Sequence, residues 1–234
     1  SLTSTTIPEG VTSIEYQTFY NCTSLESVTL PEGLLSIADS YNGYGVFENC
    51  TSLKSVVIPD SVTSVGNKAF RGCSGLTSIT IPEGVTSIEE ATFANCTNLE
   101  SVILPEGLLS IADQYNYGVF ENCTSLKSIV IPDSVTSIGS YAFEGCTSLT
   151  SITIPEGVTN IGERTFYNCT ALTTVGIPAS VTNIGYNAFG ECQNLQTVYY
   201  GGSEAEWKNI SIDYNYYLPR AKFIYGRTHE CTLT

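Results

Sequence analysis

The sequence predicts a repeat solenoid, a right-handed coil of short parallel β-strands joined by brief helical turns, with about 23 residues per repeat. An Ile-Pro or Leu-Pro dipeptide recurs along the chain, with its proline at Pro8, Pro31, Pro59, Pro82, Pro105, Pro132, Pro155 and Pro178. A leucine begins each unit, which gives nine strand positions, at Leu2, Leu25, Leu53, Leu76, Leu99, Leu126, Leu149, Leu172 and Leu195. Because so short a unit has too little core to fold alone, neighbouring units have to stack to bury their apolar side chains.

The first part of each unit predicts a strand. In the unit that begins at Leu149, Ile152 and Ile154 point inward while Ser151 and Thr153 alternate outward. The proline that follows cannot donate to a strand ladder, so the strand ends there. A second apolar pair, Val and Ile, then points inward from the opposite side of the coil.

The second part of each unit predicts a turn that buries a phenylalanine. The Ala/Thr-Phe step indicates one helical or 3₁₀ turn, and two residues later comes an Asn or a Gly. Exchange between Asn and Gly is typical of a left-handed position that closes such a turn. These positions are Asn21, Asn49, Gly72, Asn95, Asn122, Gly145 and Asn168.

A cysteine follows the Asn or Gly position in every unit. The column consists of Cys22, Cys50, Cys73, Cys96, Cys123, Cys146, Cys169 and Cys192. Stacked strands place equivalent residues about 4.8 Å apart with parallel Cβ vectors, which keeps the Cβ atoms farther apart than a disulfide prefers. We therefore expect a buried ladder of reduced thiols; sequential disulfides and a metal array are the alternatives. Cys231 and His229 fall outside the register, in the tail.

Composition and charge exclude several functions. Nine Lys and Arg residues against 23 Asp and Glu give a net charge of −14, which disfavours nucleic acids and anionic lipid surfaces. No apolar run reaches the roughly 18 residues of a membrane-spanning helix, so we expect no membrane insertion. The single histidine lies in the tail, and no nucleophile has an adjacent base. We therefore predict that the chain is not an enzyme and has no cofactor, catalytic residue or metal site.

The outward column of the strands is the first candidate binding surface. Three of its members are apolar and would form exposed contacts for a ligand: Val57, Ile103 and Val130. Beside them, Glu26 with Lys54 and Glu100 with Lys127 predict cross-strand ion pairs. Ordinary β-propensity at half-exposed strand positions is the alternative explanation of this column.

Two inserts, in the second and fifth units, are the second candidate. Tyr and Asn on Gly-containing loops supply rigid amphipathic contact area, and insertions in repeats often map to a binding face. The residues proposed for ligand contact are Tyr41, Asn42, Tyr44, Tyr115, Asn116 and Tyr117. The alternative is that these tyrosines only pack on the flank of the coil. An acidic residue after most of the prolines forms a third column, which is either a cation or basic-partner surface or a solvated row of turns.

The repeated unit I-P-x-x-V-T-x-I-G-x-x-A-F-x-x-C-x-x-L-x-x-I-x resembles the leucine-rich repeats of BspA-like bacterial surface proteins over about residues 2 to 198. We assign residues 1–198 to this leucine-rich-repeat solenoid and residues 199–234 to an aromatic C-terminal cap and tail. The segment 198–212 also resembles the C-terminal closing segment of such proteins. The chain opens inside a strand at Leu2 without a signal peptide. We therefore expect a fragment of a longer exported protein.

The resemblance implies an extracellular protein of the bacterial cell surface that binds host or partner macromolecules, including extracellular-matrix proteins. The leading prediction is thus a non-catalytic module for protein–protein interaction or adhesion. The alternatives are a glycan-binding module that uses the tyrosine inserts, and a structural spacer.

Overall fold

The computed structural model describes residues 2–37, 43–111 and 117–227 and is a coil of short parallel strands, as predicted. The strands are β1 (Ser4–Thr6), β2 (Ser13–Ile14), β3 (Ser27–Thr29), β4 (Ser36–Ile37), β5 (Ser64–Val65), β6 (Ser78–Thr80), β7 (Ser87–Ile88), β8 (Ser101–Ile103), β9 (Ser110–Ile111), β10 (Ser137–Ile138), β11 (Ser151–Thr153), β12 (Asn160–Ile161), β13 (Thr174–Ile177), β14 (Asn183–Ile184), β15 (Thr197–Tyr200), β16 (Ser211–Ile212) and β17 (Lys222–Tyr225).

Two parallel ladders run along the solenoid. Each repeat unit forms one coil, and most coils contribute a strand before the proline and a shorter strand after it. The ladder before the proline consists of the sheets β1-β3, β6-β8 and β11-β13-β15-β17. The ladder after the proline consists of β2-β4-β5, β7-β9-β10 and β12-β14-β16. Equivalent residues pair between neighbouring coils, as in Ser4 with Ser27 and Ser13 with Ser36.

The first ladder is interrupted twice. The third coil contributes only an isolated bridge between Ser27 and Ser55, and residues 126–132 of the sixth coil contain no strand. Both coils directly follow a unit that carries an insert. The expectation of nine equivalent strands is therefore corrected for these two coils, whose outward residues Val57 and Val130 lie between sheets.

A column of stacked phenylalanines fills the core. Ring centroids of successive members lie 5.2 to 5.7 Å apart and the rings are nearly parallel, an offset-stacking distance for aromatic pairs. The members are Phe19, Phe47, Phe70, Phe93, Phe120, Phe143, Phe166 and Phe189. In the described part of the chain the phenylalanines sit in hydrogen-bonded turns without helical residues, and the described helices lie near the C-terminus: α1 (Glu204–Trp207) and the 3₁₀ turn Leu218–Arg220.

The cysteine column lies beside the phenylalanines as a ladder of free thiols, as predicted. Each thiol from Cys50 to Cys192 donates to the carbonyl of the phenylalanine in the preceding coil, with Sγ to O distances of 3.1 to 3.2 Å. Because burial disfavours the thiolate, it raises the pKa of Cys96 and Cys146 to about 12. These thiols therefore behave as small apolar groups with one weak donor.

Two left-handed residues occur in most turns, of which the sequence predicted one. The Asn and Gly positions have φ between 58° and 72°, and Glu191 occupies the same place with φ of 57°. A second left-handed residue lies four positions earlier, with φ between 51° and 62°, at Gln17, Lys68, Ala91, Tyr141, Arg164 and Asn187. The varied residue types at this second position gave no sequence signal.

The C-terminal segment continues the coil. Ser203 begins α1 with a capping box that includes Glu206, and the Trp207 ring lies 5.1 Å from Tyr200 and 4.7 Å from Phe223 between ring centroids. β17 pairs with β15 through the same register as the repeats. Within the described ranges, we find no helix with the length and apolarity needed to span a membrane.

Candidate functional site

The outward column of the first ladder exposes three large apolar side chains. Val57 is 81% exposed, Ile103 is 59% exposed and Val130 is 65% exposed, while the residues that precede and follow each of them are buried. Ile103 and Val130 occupy neighbouring coils, and Val57 lies two coils before Ile103. Exposure of apolar side chains to water is unfavourable, so burying this column against another molecule would lower the free energy.

The ion pairs predicted beside this column are confirmed. Lys54 Nζ lies 2.9 Å from Glu26 Oε2, and Lys127 Nζ lies 3.3 Å from Glu100 Oε2. All four side chains are largely exposed, so each pair contributes under about 1 kcal/mol to stability. The pairs give the strand face alternating charges next to its apolar column.

The described C-terminal ends of the two tyrosine inserts lie on the flank of the coil where the phenylalanine turns lie. Tyr41, Asn42, Tyr115 and Asn116 lie outside the described residues, while Tyr44 and Tyr117 are 48% and 44% exposed.

Both of these rings have intramolecular partners. The Tyr44 ring stacks on Tyr20 with a centroid distance of 4.1 Å. The Arg71 guanidinium carbon lies 5.2 Å from the centroid of Tyr117, within the range of a cation–π contact.

A glutamate fixes the C-terminal end of each insert. Glu48 Oε2 accepts a hydrogen bond from the Gly45 amide at 2.9 Å, and Glu48 Oε1 accepts one from Arg71 at 3.0 Å. In the fifth unit the Gly118 amide donates to Glu121 Oε2 at 3.3 Å, and burial raises the pKa of the Glu121 carboxyl. The end of each insert is therefore held against the coil by its own unit.

The structure thus separates the two predicted sets of residues. Val57, Ile103 and Val130 belong to the strand face, whereas Tyr44 and Tyr117 belong to the turn flank. The two sets therefore form separate candidate surfaces. The third predicted surface, the acidic column after the prolines, is exposed along its described length in the turns.

Sequence reasoning missed a recess on the same flank near the C-terminus. A cavity of about 260 Å³ is lined by four tyrosines, Tyr167, Tyr214, Tyr216 and Tyr217. Asn187, Gly190 and Glu191 complete the lining. The signal available in the sequence was the pair Gly190-Glu191: Glu191 stands where the other units have Asn or Gly, and Gly190 stands where the other units have a residue with a side chain.

Among the described residues, no three His, Cys, Asp or Glu side chains are grouped closely enough to hold a metal ion. A second arginine–glutamate pair lies on this flank: Arg164 Nη2 lies 2.8 Å from Glu144 Oε1, and the Arg164 guanidinium carbon lies 4.0 Å from the Tyr167 centroid. Burial raises the pKa of the Glu144 carboxyl, and the Arg164 charge opposes that shift.

Comparison with known families and structures identifies relatives. Six copies of the BspA type leucine rich repeat region match residues 1–115 and 113–214. A leucine-rich cell surface protein from Faecalibacterium prausnitzii is 28% identical, with 92% of this chain and 83% of that chain covered and a TM-score of 0.43. A leucine-rich repeat protein from Bacteroides ovatus is 26% identical, with 95% and 83% covered and a TM-score of 0.39.

A third solved structure shares the fold. The leucine-rich repeat protein of T. pallidum is 22% identical, with 92% of this chain and 86% of that chain covered and a TM-score of 0.54. No curated protein matches the chain.

Proposed function

Because this chain belongs to the BspA-type leucine-rich repeat family, we propose that it is a non-catalytic protein of the bacterial cell surface whose strand face binds a protein partner. The observation that carries the proposal is the exposure of Val57, Ile103 and Val130 in one column. Three large aliphatic side chains on four successive coils form the kind of apolar centre that protein interfaces bury.

The surroundings of the column support a protein partner. The pairs Glu26–Lys54 and Glu100–Lys127 present both signs of charge at its edge, as the polar rim of a protein interface does. Nine coils at about 4.8 Å each give a face of roughly 40 Å, long enough for the ~800 Å² that a standard interface buries on each partner. Because the face is built from repeats, its contacts extend along the coil.

Repetition also supports the absence of catalysis in this proposal. Catalytic groups normally form one constellation with environments that push their pKa values apart. Here the exposed acidic residues recur coil after coil in equivalent surroundings, as Glu83, Glu106 and Glu156 illustrate. Extracellular exposure and adhesion to host or matrix proteins are part of the same proposal, and they rest on the family.

The glycan-binding alternative at the inserts receives less support. The Tyr44 ring is stacked on Tyr20, and Tyr117 has Arg71 over its face. Both rings therefore already use a face for contacts within the chain. By contrast, most of the surface of the Val57, Ile103 and Val130 side chains is open to solvent, which favours the strand column as the contact surface.

The test is a binding assay with single substitutions on two faces. Purified protein and the variants Val57→Lys, Ile103→Lys and Thr159→Lys are passed over immobilised fibronectin, laminin, fibrinogen and collagen. Thr159 is exposed after its proline, so Thr159→Lys adds the same charge away from the column.

We expect at least one of these proteins to bind, with affinity about tenfold or more weaker for Val57→Lys and Ile103→Lys and unchanged for Thr159→Lys. Binding that is equal in all variants would place the contact elsewhere. No binding to any of the four proteins would contradict the adhesive role and favour a spacer.

A further inference from the structure

We propose that the recess around Gly190 is a binding site for a neutral saccharide ring. The site lies on the turn flank near the C-terminus, away from the strand face and from the inserts. It is therefore a second binding activity and does not depend on the protein-binding function proposed above.

The recess exists because one side chain of a column is missing. The residue directly after the core phenylalanine carries a side chain in each of the first seven units, where it is Tyr20, Glu48, Arg71, Ala94, Glu121, Glu144 and Tyr167. In the eighth unit this residue is Gly190. A Cβ atom there would lie 2.7 Å from Tyr167 Cδ2 and 3.0 Å from Asn187 Oδ1, so glycine both opens the space and lets the Tyr167 ring approach.

The opposite wall is held in place by the backbone. The Asn187 amide donates to the Tyr214 carbonyl at 2.8 Å, and the Asp213 amide donates to the Ile184 carbonyl at 2.9 Å.

The side chain of Asn215 completes this attachment. Its Oδ1 accepts from the Phe189 amide at 2.9 Å and its Nδ2 donates to the Gly185 carbonyl at 2.9 Å. These bonds fix the segment that carries Tyr214, Tyr216 and Tyr217. A wall fixed before binding reduces the entropy lost when a ligand is held.

The chemistry of the lining fits a sugar. Four tyrosines line the recess, and their hydroxyls both donate and accept hydrogen bonds. Arg164 lies over one face of Tyr167 and Arg220 over one face of Tyr216, and the remaining ring surface offers a negative quadrupole to the C–H bonds of a sugar ring. Asn187 adds an amide and Glu191 adds a carboxylate that accepts from sugar hydroxyls. The Gln193 side chain donates to Glu191 Oε2 at 3.4 Å, a long bond that leaves the carboxylate with acceptor capacity.

Charge and size narrow the ligand class. The Arg220 guanidinium carbon lies 3.7 Å from the Tyr216 centroid and 5.7 Å from the Tyr217 centroid, so a second cation would be repelled from these rings. Glu191 and the chain's net charge of −14 disfavour an anion. At about 260 Å³, the recess is smaller than the roughly 300–1,000 Å³ of drug-sized pockets, which suits one neutral sugar ring.

Glu191 is an unusual choice for its position. Its φ of 57° is left-handed, and the seven other units place Asn or Gly there. Asn tolerates this backbone angle because its short side chain can form local hydrogen bonds. Glutamate lacks this advantage, so it lowers stability at this position. A ligand-binding role for the carboxylate, which lines the recess, explains why glutamate stands here. The variant Glu191→Asn removes this carboxylate without straining the backbone.

The experiment is saturation-transfer NMR followed by calorimetric titration on the whole chain. The probes are the methyl glycosides of glucose, galactose, mannose and N-acetylglucosamine, with choline chloride as the cationic comparison. The pocket variants are Glu191→Asn and Tyr214→Ala. The controls are Tyr16→Ala, an exposed tyrosine on the same flank at the other end of the coil, and Val57→Lys on the strand face.

We expect at least one glycoside to bind with a dissociation constant in the millimolar range. A folded pocket variant weakens it about tenfold or more, whereas Tyr16→Ala and Val57→Lys leave it unchanged. If no glycoside binds, if choline binds in their place, or if Glu191→Asn and folded Tyr214→Ala both bind like the parent, the proposal is wrong. Because Val57→Lys affects only the strand face, failure here and failure of the protein-binding function are distinguishable.

Discussion

The backbone amide of Gly45 donates a 2.9 Å hydrogen bond to a carboxylate oxygen of Glu48, three residues later and almost wholly buried. This contact holds the end of the first insert against the coil. It also brings the Gly45 backbone so close to the next coil that an added Cβ would lie 1.8 Å from the Lys68 carbonyl oxygen. The insert is therefore tied to the solenoid at a position that only glycine can occupy.

The first prediction concerns this close approach. Gly45→Ala should lower the free energy of unfolding by about 1–3 kcal/mol, because the new methyl group overlaps backbone atoms that cannot rotate away. Urea unfolding followed by circular dichroism measures the change. Gly33→Ala is the matched control, since a Cβ at Gly33 meets nothing within 4 Å and should leave stability unchanged or slightly higher. Equal effects of the two substitutions would contradict the packing described here.

The second prediction compares a buried with an exposed ion pair. The Arg71–Glu48 pair has a nearly buried carboxylate, so a double-mutant cycle with Arg71→Met and Glu48→Gln should give a coupling energy of about 1.5–3 kcal/mol. The same cycle at Lys54 and Glu26, whose side chains are largely exposed, should give less than about 1 kcal/mol. Coupling energies of equal size would show that burial does not decide the strength of these pairs.

The third prediction is a loss of stability in alkaline solution. Burial raises the pKa of Cys50, Cys96, Cys146 and Cys192 to about 12, whereas a cysteine in an unfolded chain ionises near pH 8.5. Between these values the folded chain keeps protons that the unfolded chain has released. The free energy of unfolding should therefore fall, by up to about 1.4 kcal/mol per pH unit for each buried thiol.

This pH dependence is measured by urea unfolding at intervals from pH 8 to pH 11. Cys96→Ala removes one of the thiols, so its stability should fall less steeply than that of the parent, by up to about 1.4 kcal/mol per pH unit. Below pH 8 the two proteins should show the same dependence on pH. Parallel curves throughout the range would mean that the Cys96 thiol is not protected by burial.

The fourth prediction concerns the left-handed turn residues. Asn168 has φ of 58°, so Asn168→Ala should lower the free energy of unfolding by about 1–2 kcal/mol, while Asn168→Gly should retain most of it. At the equivalent position Glu191→Asn should raise stability for the same reason. Thermal unfolding of the three variants provides the comparison. A stabilising Asn168→Ala substitution would contradict the backbone geometry assigned to this column.

Much of the fold follows from the sequence because equivalent residues of stacked coils face the same surroundings. The inward Ile and Leu positions predicted the ladders, the Asn/Gly exchange predicted one left-handed residue, and the buried thiol column was confirmed. The Glu26–Lys54 and Glu100–Lys127 pairs were also predictable, since parallel in-register pairing brings these residues side by side.

The tertiary structure decided what the repeat itself does not encode. The gaps in the first ladder at Val57 and Val130 are departures from strict repetition that appear only when neighbouring coils are placed together. The recess at Gly190 needs the non-repeating segment around Asn215 to dock on the last coil through hydrogen bonds that no local pattern predicts. The core could thus be predicted from the sequence, because each repeat packs against a nearly identical repeat. The sites depend on contacts between unlike segments, which only the folded chain brings together.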